Sequence, residues 1–366
     1  MDSRLLATLN AQAGSTRDPV IWARAVCRAA SHFARHGRTD DALISIGVVR
    51  AQFKTELHHE VASWLMLAEG VLHYFKAQTR EAYDRIRRAY GLAVALRTES
   101  ALPSCAAWMA HIEFFDSKYD EMAKHLEEAL TLAAPDDHQA RARASLVLAM
   151  SYHLADEYQL ARPWYERARL HAAAEGDEAT LSAMLHDVAA YRASNVRLVD
   201  TFGGDIEKEA HRASMETSSS VNFDSAIGHK GLDFLTLMLQ GLILTINKKF
   251  DDALNAFALI HYESVPEKMR PSINVDRAWC LVNTDRRDQA WELAEAALSD
   301  TEKISEDDEI AYAYSRLSQI AAECGRLKES ADFRGHAERA LERHRAFQSS
   351  LLKRLGGLTT ENKNPA

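Results

Sequence analysis

An all-α fold of stacked helix pairs is what this sequence predicts, from its composition, a recurring helix-pair signature and the near-constant spacing of that signature. Ala, Leu, Glu and Arg dominate, the 366 residues hold only 7 Pro and 15 Gly, and 47% of them are hydrophobic. Such a composition favours long amphipathic helices and removes most of the case for a sheet-rich fold.

In the signature, a small residue sits mid-helix and a turn carrying Gly or Asp and a charge follows. A second helix then opens on a usually small residue, with an apolar residue four later. The clearest copy has Leu148, Ala149 and Tyr152, a turn at Ala155, Asp156 and Glu157, then Ala161, Tyr165 and Ala168. The first copy has Ala30 and Phe33, a turn from Gly37 to Asp40, then Ala42, Ile46 and Val49. The second has Trp64, Leu67 and Gly70, then Ala82, Ile86 and Ala89; the third has Ala110, then Met122, Leu126 and Ala129. Beyond the middle come Gly241 and Leu244 with Ala253, Phe257 and Ile260, then Ala278 and Leu281 with Ala290, Ala294 and Ala297. The last copy, the most degenerate, has Ser318, Gly325, Ser330 and Ala337.

The residues that open the second helices, 42, 82, 122, 161, 253, 290 and 330, are separated by 40, 40, 39, 92, 37 and 40. The gap of 92 equals two repeats of about 46 and predicts an irregular eighth pair, with a helix over 181–193, a break at Gly203 and Gly204, and a helix over 205–216. Small residues at a helix crossing let two axes approach closely, and the bulky residues three and four later fill the grooves. No pair buries its apolar face alone, so neighbours must stack.

The expected organisation is a tail over 1–18, a first array over 19–195, an irregular hinge segment over 196–231, a second array over 232–326, a long capping helix over 327–355 and a flexible tail over 356–366. The capping helix carries an apolar stripe of Ala340, Leu341, Phe347, Leu351, Leu352 and Leu355, which offers a possible homodimer contact.

A net charge of −9 argues against direct nucleic-acid binding, which relies on phosphate neutralisation. Cys27, Cys105, Cys280 and Cys324 lie far apart and form no metal-ligand spacing, as expected of reduced thiols. The apolar run Leu5 to Leu9 is too short for a secretory signal, and Phe234 to Ile246 is too short to span a bilayer, so no membrane insertion and a cytoplasmic location are expected. His58, His59 and Glu60 with His73 form the densest histidine group, but adjacent helical residues point about 100° apart, so no metal and no cofactor is expected.

Over about 19–355 the chain resembles tetratricopeptide repeat (TPR) proteins, whose pattern L-G-x-x-Y followed by A-x-x-x-F and a further Ala is matched by Leu148, Ala149, Tyr152, Ala161, Tyr165 and Ala168. The resemblance implies a right-handed α-solenoid of about seven to eight TPR-like helix pairs. A period near 40 looks more like the long-helix arrays of bacterial signalling regulators, among them MalT-like activators and Rap-type and Rgg-type regulators. On this reading the helix-turn-helix of the Rgg type and the output domains of the MalT type are not expected in it. The chaperone-binding subgroup clamps carboxylates with Lys and Asn where this chain has Cys27 and Ser31, so that activity is not expected.

The resemblance implies binding of a protein or peptide ligand in a concave groove lined by the first helix of each pair. Its groove positions fall on Tyr74, Phe75, His111, Phe114, Phe115, Met150, His153, Asp187, Tyr191 and Asn195. Aromatic anchors with interspersed polar groups suit a short helix or an extended peptide. The later positions Met238, Leu242, Ile246, Trp279 and Asn283 read as closed core. No common catalytic motif is present, so no enzyme is expected. The alternative is an enzyme or obligate enzyme subunit with a site near the irregular middle pair, whose turnover would depend on Asp187 or Asp205; the Thr201 to Asp205 stretch lacks the companion residues of kinase or cyclase motifs.

Overall fold

The structure, a computed structural model, describes residues 3–228, 233–356 and 358. Its described residues form seventeen α-helices and no strand. A first helix, α1 (Arg4–Ser15), precedes eight pairs. These are α2 (Pro19–Arg35) with α3 (Thr39–Gln52), α4 (His59–Phe75) with α5 (Thr79–Ala95), α6 (Leu102–Phe115) with α7 (Tyr119–Leu132), and α8 (His138–Leu154) with α9 (Tyr158–Glu175). There follow α10 (Glu178–Thr201) with α11 (Glu207–Ile227), α12 (Asp233–Ile246) with α13 (Phe250–Ala258), α14 (Arg270–Val282) with α15 (Arg287–Ser299), and α16 (Asp307–Glu323) with α17 (Leu327–Gly356).

One turn geometry joins the pairs and explains the repeat spacing. Gly37, Ala77, Ser117, Asp156, Lys248, Asp285 and Gly325 all adopt positive φ, between 56° and 76°. Each lies five residues before a residue that marks the spacing, and the next amide donates back to the carbonyl five earlier, as Arg38 to Phe33 (2.9 Å), Lys118 to Glu113 (2.8 Å) and Arg326 to Ala321 (2.8 Å). This is the Schellman closure of a helix C-terminus. Of the spacing residues, Ala42, Ala82, Met122, Ala161, Ala253 and Ala290 are fully buried.

The irregular middle pair uses the same closure. Gly203 has φ 78° and the Gly204 amide donates to Val199 (3.0 Å), which divides the gap of 92 into 47 and 45. Its helices are longer than expected: α10 continues to Thr201 and α11 to Ile227, so most of the hinge segment is helix. Ser218 and Ser219 sit inside α11, where each donates to the carbonyl four residues back (2.9 Å each).

The expected tail over 1–18 is also corrected. Residues 4–15 form α1, because Leu5, Leu6 and Leu9 share one helical face and are buried with Ala25 and Ala29 of α2. Of the expected C-terminal tail only Gly356 and Leu358 lie within the described residues, and Gly231 of the hinge segment lies outside them.

The chain divides into two compact units. Unit 1 comprises residues 1–184, 224–231 and 351–366, and unit 2 comprises 185–223 and 232–350. In unit 1 the first pair meets the α9–α10 junction. Arg28 pairs with Glu175, the Leu5 amide donates to Gly176 (3.3 Å), and Arg35 donates to Asp177 (2.7 Å) and Thr180 (2.9 Å). In unit 2 residues 185–201 of α10 meet α14 and α16. Arg197 pairs with Asp276 (3.0 Å) and Glu309, and Arg316 pairs with Asp200 (2.8 Å). Among the described residues no helix is long and apolar enough to cross a membrane.

Candidate binding surface

An open groove would leave one stripe of each first helix accessible. In unit 1 the middle first helices are instead buried on every face, continuously over Pro103–Phe114 of α6 and Ala142–Tyr152 of α8. Ser31 and Arg35 of α2, Ser104 and Trp108 of α6, Gln139 and Arg143 of α8, and Asp177 and Thr180 converge on a cavity of only about 10 Å³. That is room for about one water molecule.

This burial corrects part of the expected site. Met150 is 1% exposed and Phe114 5% exposed, so both belong to the scaffold. Phe114 packs edge-on against Phe115 (5.2 Å between centroids) and Tyr119 (6.2 Å). His111 is buried too, with Tyr74, Trp108 and Phe115 each 5.1–5.2 Å from its ring. Burial pushes its imidazole well below the ordinary 6.5, and Arg143 reinforces the shift. Arg143 lies 4.2 Å over the face of Trp108, a cation–π contact.

Of the expected positions in unit 1, those that stay accessible lie on a ledge at the C-terminal ends of α4 and α6, and at the end of α8. Tyr74 and Phe75 are half-buried and contact each other at 5.3 Å, Tyr74 reaches Phe115 at 6.5 Å, and Phe115 is 40% exposed. At the end of α8, half-buried His153 lies 3.2 Å from the Tyr165 hydroxyl and 5.4 Å from the ring of exposed Tyr158. The ledge sits there because α4, α6 and α8 each end two residues before a positive-φ residue, and in α4 and α6 the last two helical residues are aromatic. Tyr158 was missed by the sequence reading, although Tyr119 and Phe250 occupy the same place three residues before a spacing residue.

Asp187, Tyr191 and Asn195 lie in unit 2. There Asp187 and Tyr191 are half-buried and Asn195 is exposed. Met238 and Leu242 are buried as expected, and Ile246 packs against the same cluster. Asp205 caps α11 by accepting from the Glu207 amide (3.2 Å), and the Thr201 carbonyl accepts from Ser315 (3.1 Å) and Gln319 (3.0 Å). His58 caps α4 by accepting from the Glu60 amide (3.3 Å), and His73 pairs with Gln78 (2.7 Å). The apolar stripe of α17 is largely spent within the chain: Ala340, Leu351 and Leu355 are fully buried.

The tetratricopeptide repeat family model matches residues 103–169, which span α6 to α9 up to Arg169. Residues 103–169 are thus of the tetratricopeptide-repeat type. A crystal structure of the apo form of RapI aligns with 92% of this chain and 91% of its own, at 11% identity and a TM-score of 0.49. No curated protein matches the chain.

Proposed function

We propose that the chain is a scaffold that binds a protein or peptide partner, and that the aromatic ledge of unit 1 is its contact surface. The observation that supports this reading is the run of rings from Tyr74 through His111 to Phe115, held edge-on by fixed helices and ending in an exposed phenyl group. Rigid aromatics lose little conformational entropy on binding and supply large contact area, which is why they dominate interface energetics. Phe75 and His153 extend the ledge, with the imidazole as a polar orienting group. Asp187, Tyr191 and Asn195 form a second, polar contact on unit 2. Partners that carry an apolar anchor and a hydrogen-bonding flank fit the ledge best.

The test is an affinity pull-down from native extract with wild type and a Tyr74→Ala/Phe115→Ala variant. A partner retained by the wild type and lost from the variant supports the ledge. Equal retention by both baits removes it.

A further inference from the structure

Residues 351–356 and Leu358 belong to unit 1 and are seated on it. Leu351, Leu355 and Leu358 recur at i, i+4 and i+7, one face of a helix, and are 0%, 0% and 7% exposed. Tyr152 of α8 donates its hydroxyl to the Leu355 carbonyl (3.4 Å), and Arg354 pairs with Asp120 at the start of α7 (2.7 Å). The carbonyls at the end of a helix have no partner within it, so Tyr152 supplies one at a helix terminus. Asp120 and Glu121 make the receiving end of α7 acidic, and Lys353 and Arg354 make the seated segment basic.

We propose that this surface of unit 1, around Tyr152 and Asp120, is a helix-binding site. Its partner is a basic amphipathic helix with leucines at i, i+4 and i+7 and an Arg at i+3, and residues 351–356 with Leu358 are its resting, intramolecular occupant. The proposal rests on the reading of the chain as a binder of protein segments, but it does not use the aromatic ledge. An occupant already covalently attached lowers the apparent affinity for an outside helix by the fraction of time the site is open. Partner capture is thereby tied to release of the C-terminal segment.

The test uses the full chain and a fluorescein-labelled synthetic peptide with the sequence of residues 345–360, read by anisotropy. A variant with Leu351→Asp and Leu355→Asp releases the occupant and is expected to bind the peptide at least about ten-fold more tightly than wild type. A peptide carrying the same two substitutions is expected not to bind. A released variant that keeps its helicity and cooperative unfolding yet binds no better than wild type overturns the proposal. Hydrogen exchange on the wild-type chain provides a second reading that does not need the variant to fold. Saturating peptide should unprotect amides 351–356 while α8 stays protected, and unchanged protection of 351–356 overturns the proposal. A Tyr74→Ala/Phe115→Ala chain should take the peptide as wild type does, so failure of the ledge and failure of this site are told apart.

Discussion

Gly70 of α4 lies so close to Ile86 of α5 that a Cβ placed on it would stand 2.4 Å from Ile86 Cγ1. Ile86 is fully buried and cannot swing aside. Alanine at this crossing gains about 1 kcal/mol of helix propensity but forces the two axes apart, which typically costs about 1–3 kcal/mol. Gly70→Ala is therefore expected to destabilise the chain. Gly47 of α3, with nothing within 4 Å of its Cβ position, is the control: Gly47→Ala should stabilise by about 0.5–1 kcal/mol. Urea midpoints that move in the same direction for both variants would refute the crossing argument.

The turns make a second, graded prediction. Ala77 pays the left-handed penalty that a Cβ incurs, about 1–2 kcal/mol, whereas Gly37 at the equivalent place does not. Ala77→Gly should raise stability by about 0.5–1 kcal/mol after the entropy of the freer unfolded chain is subtracted, and Gly37→Ala should lower it by about as much. Chemical denaturation of the two variants checks the pair, and equal effects of one sign would contradict it.

Sequence and structure agree on the scaffold for a definite reason. Close approach of helices restricts one residue per repeat to a small side chain, as at Ala42, Ala82 and Ala161, and those residues can be counted. The binding surface was only partly legible. Phe114 and Phe115 are neighbours of one residue type, yet one is 5% and the other 40% exposed. That difference depends on which face α7 covers, and helical periodicity does not encode it. The closure of each unit was not legible either: Arg35 and Asp177, 142 residues apart, carry no local signal of their pairing.

That pair leads to a third prediction. Both side chains are almost fully buried, and Thr180 also donates to Asp177 (2.8 Å). Burial alone pushes the Asp177 carboxyl up, and Arg35 together with Thr180 overcomes it and holds the carboxyl well below the usual carboxylate range. Asp177→Asn removes the carboxylate charge that the buried Arg35 guanidinium bonds and should cost about 3 kcal/mol or more. Arg35→Met with Asp177→Leu removes both charges and should cost less than Asp177→Asn. A double-mutant cycle in urea checks this, and additive losses would show that the two residues act independently.

His111 sets the sign of an acid effect. Its folded-state imidazole stays neutral because burial holds it well below 6.5, whereas in the unfolded chain it titrates near 6.5. Below that pH the unfolded state binds the extra proton, so the His111 contribution to stability is present above pH about 6.5 and is lost as the pH falls, by up to about 1.4 kcal/mol per unit. His171 and His344, also lowered mainly by burial, act in the same direction. His111→Phe keeps the ring among Tyr74, Trp108 and Phe115 and removes a buried Nδ1 that has no hydrogen-bond partner. The variant should match or exceed wild-type stability at pH 7 and lose less between pH 7 and 5. Stability curves that stay parallel over that interval would mean that His111 is protonated in the folded chain, and the aromatic cluster would then carry a buried positive charge beside Arg143.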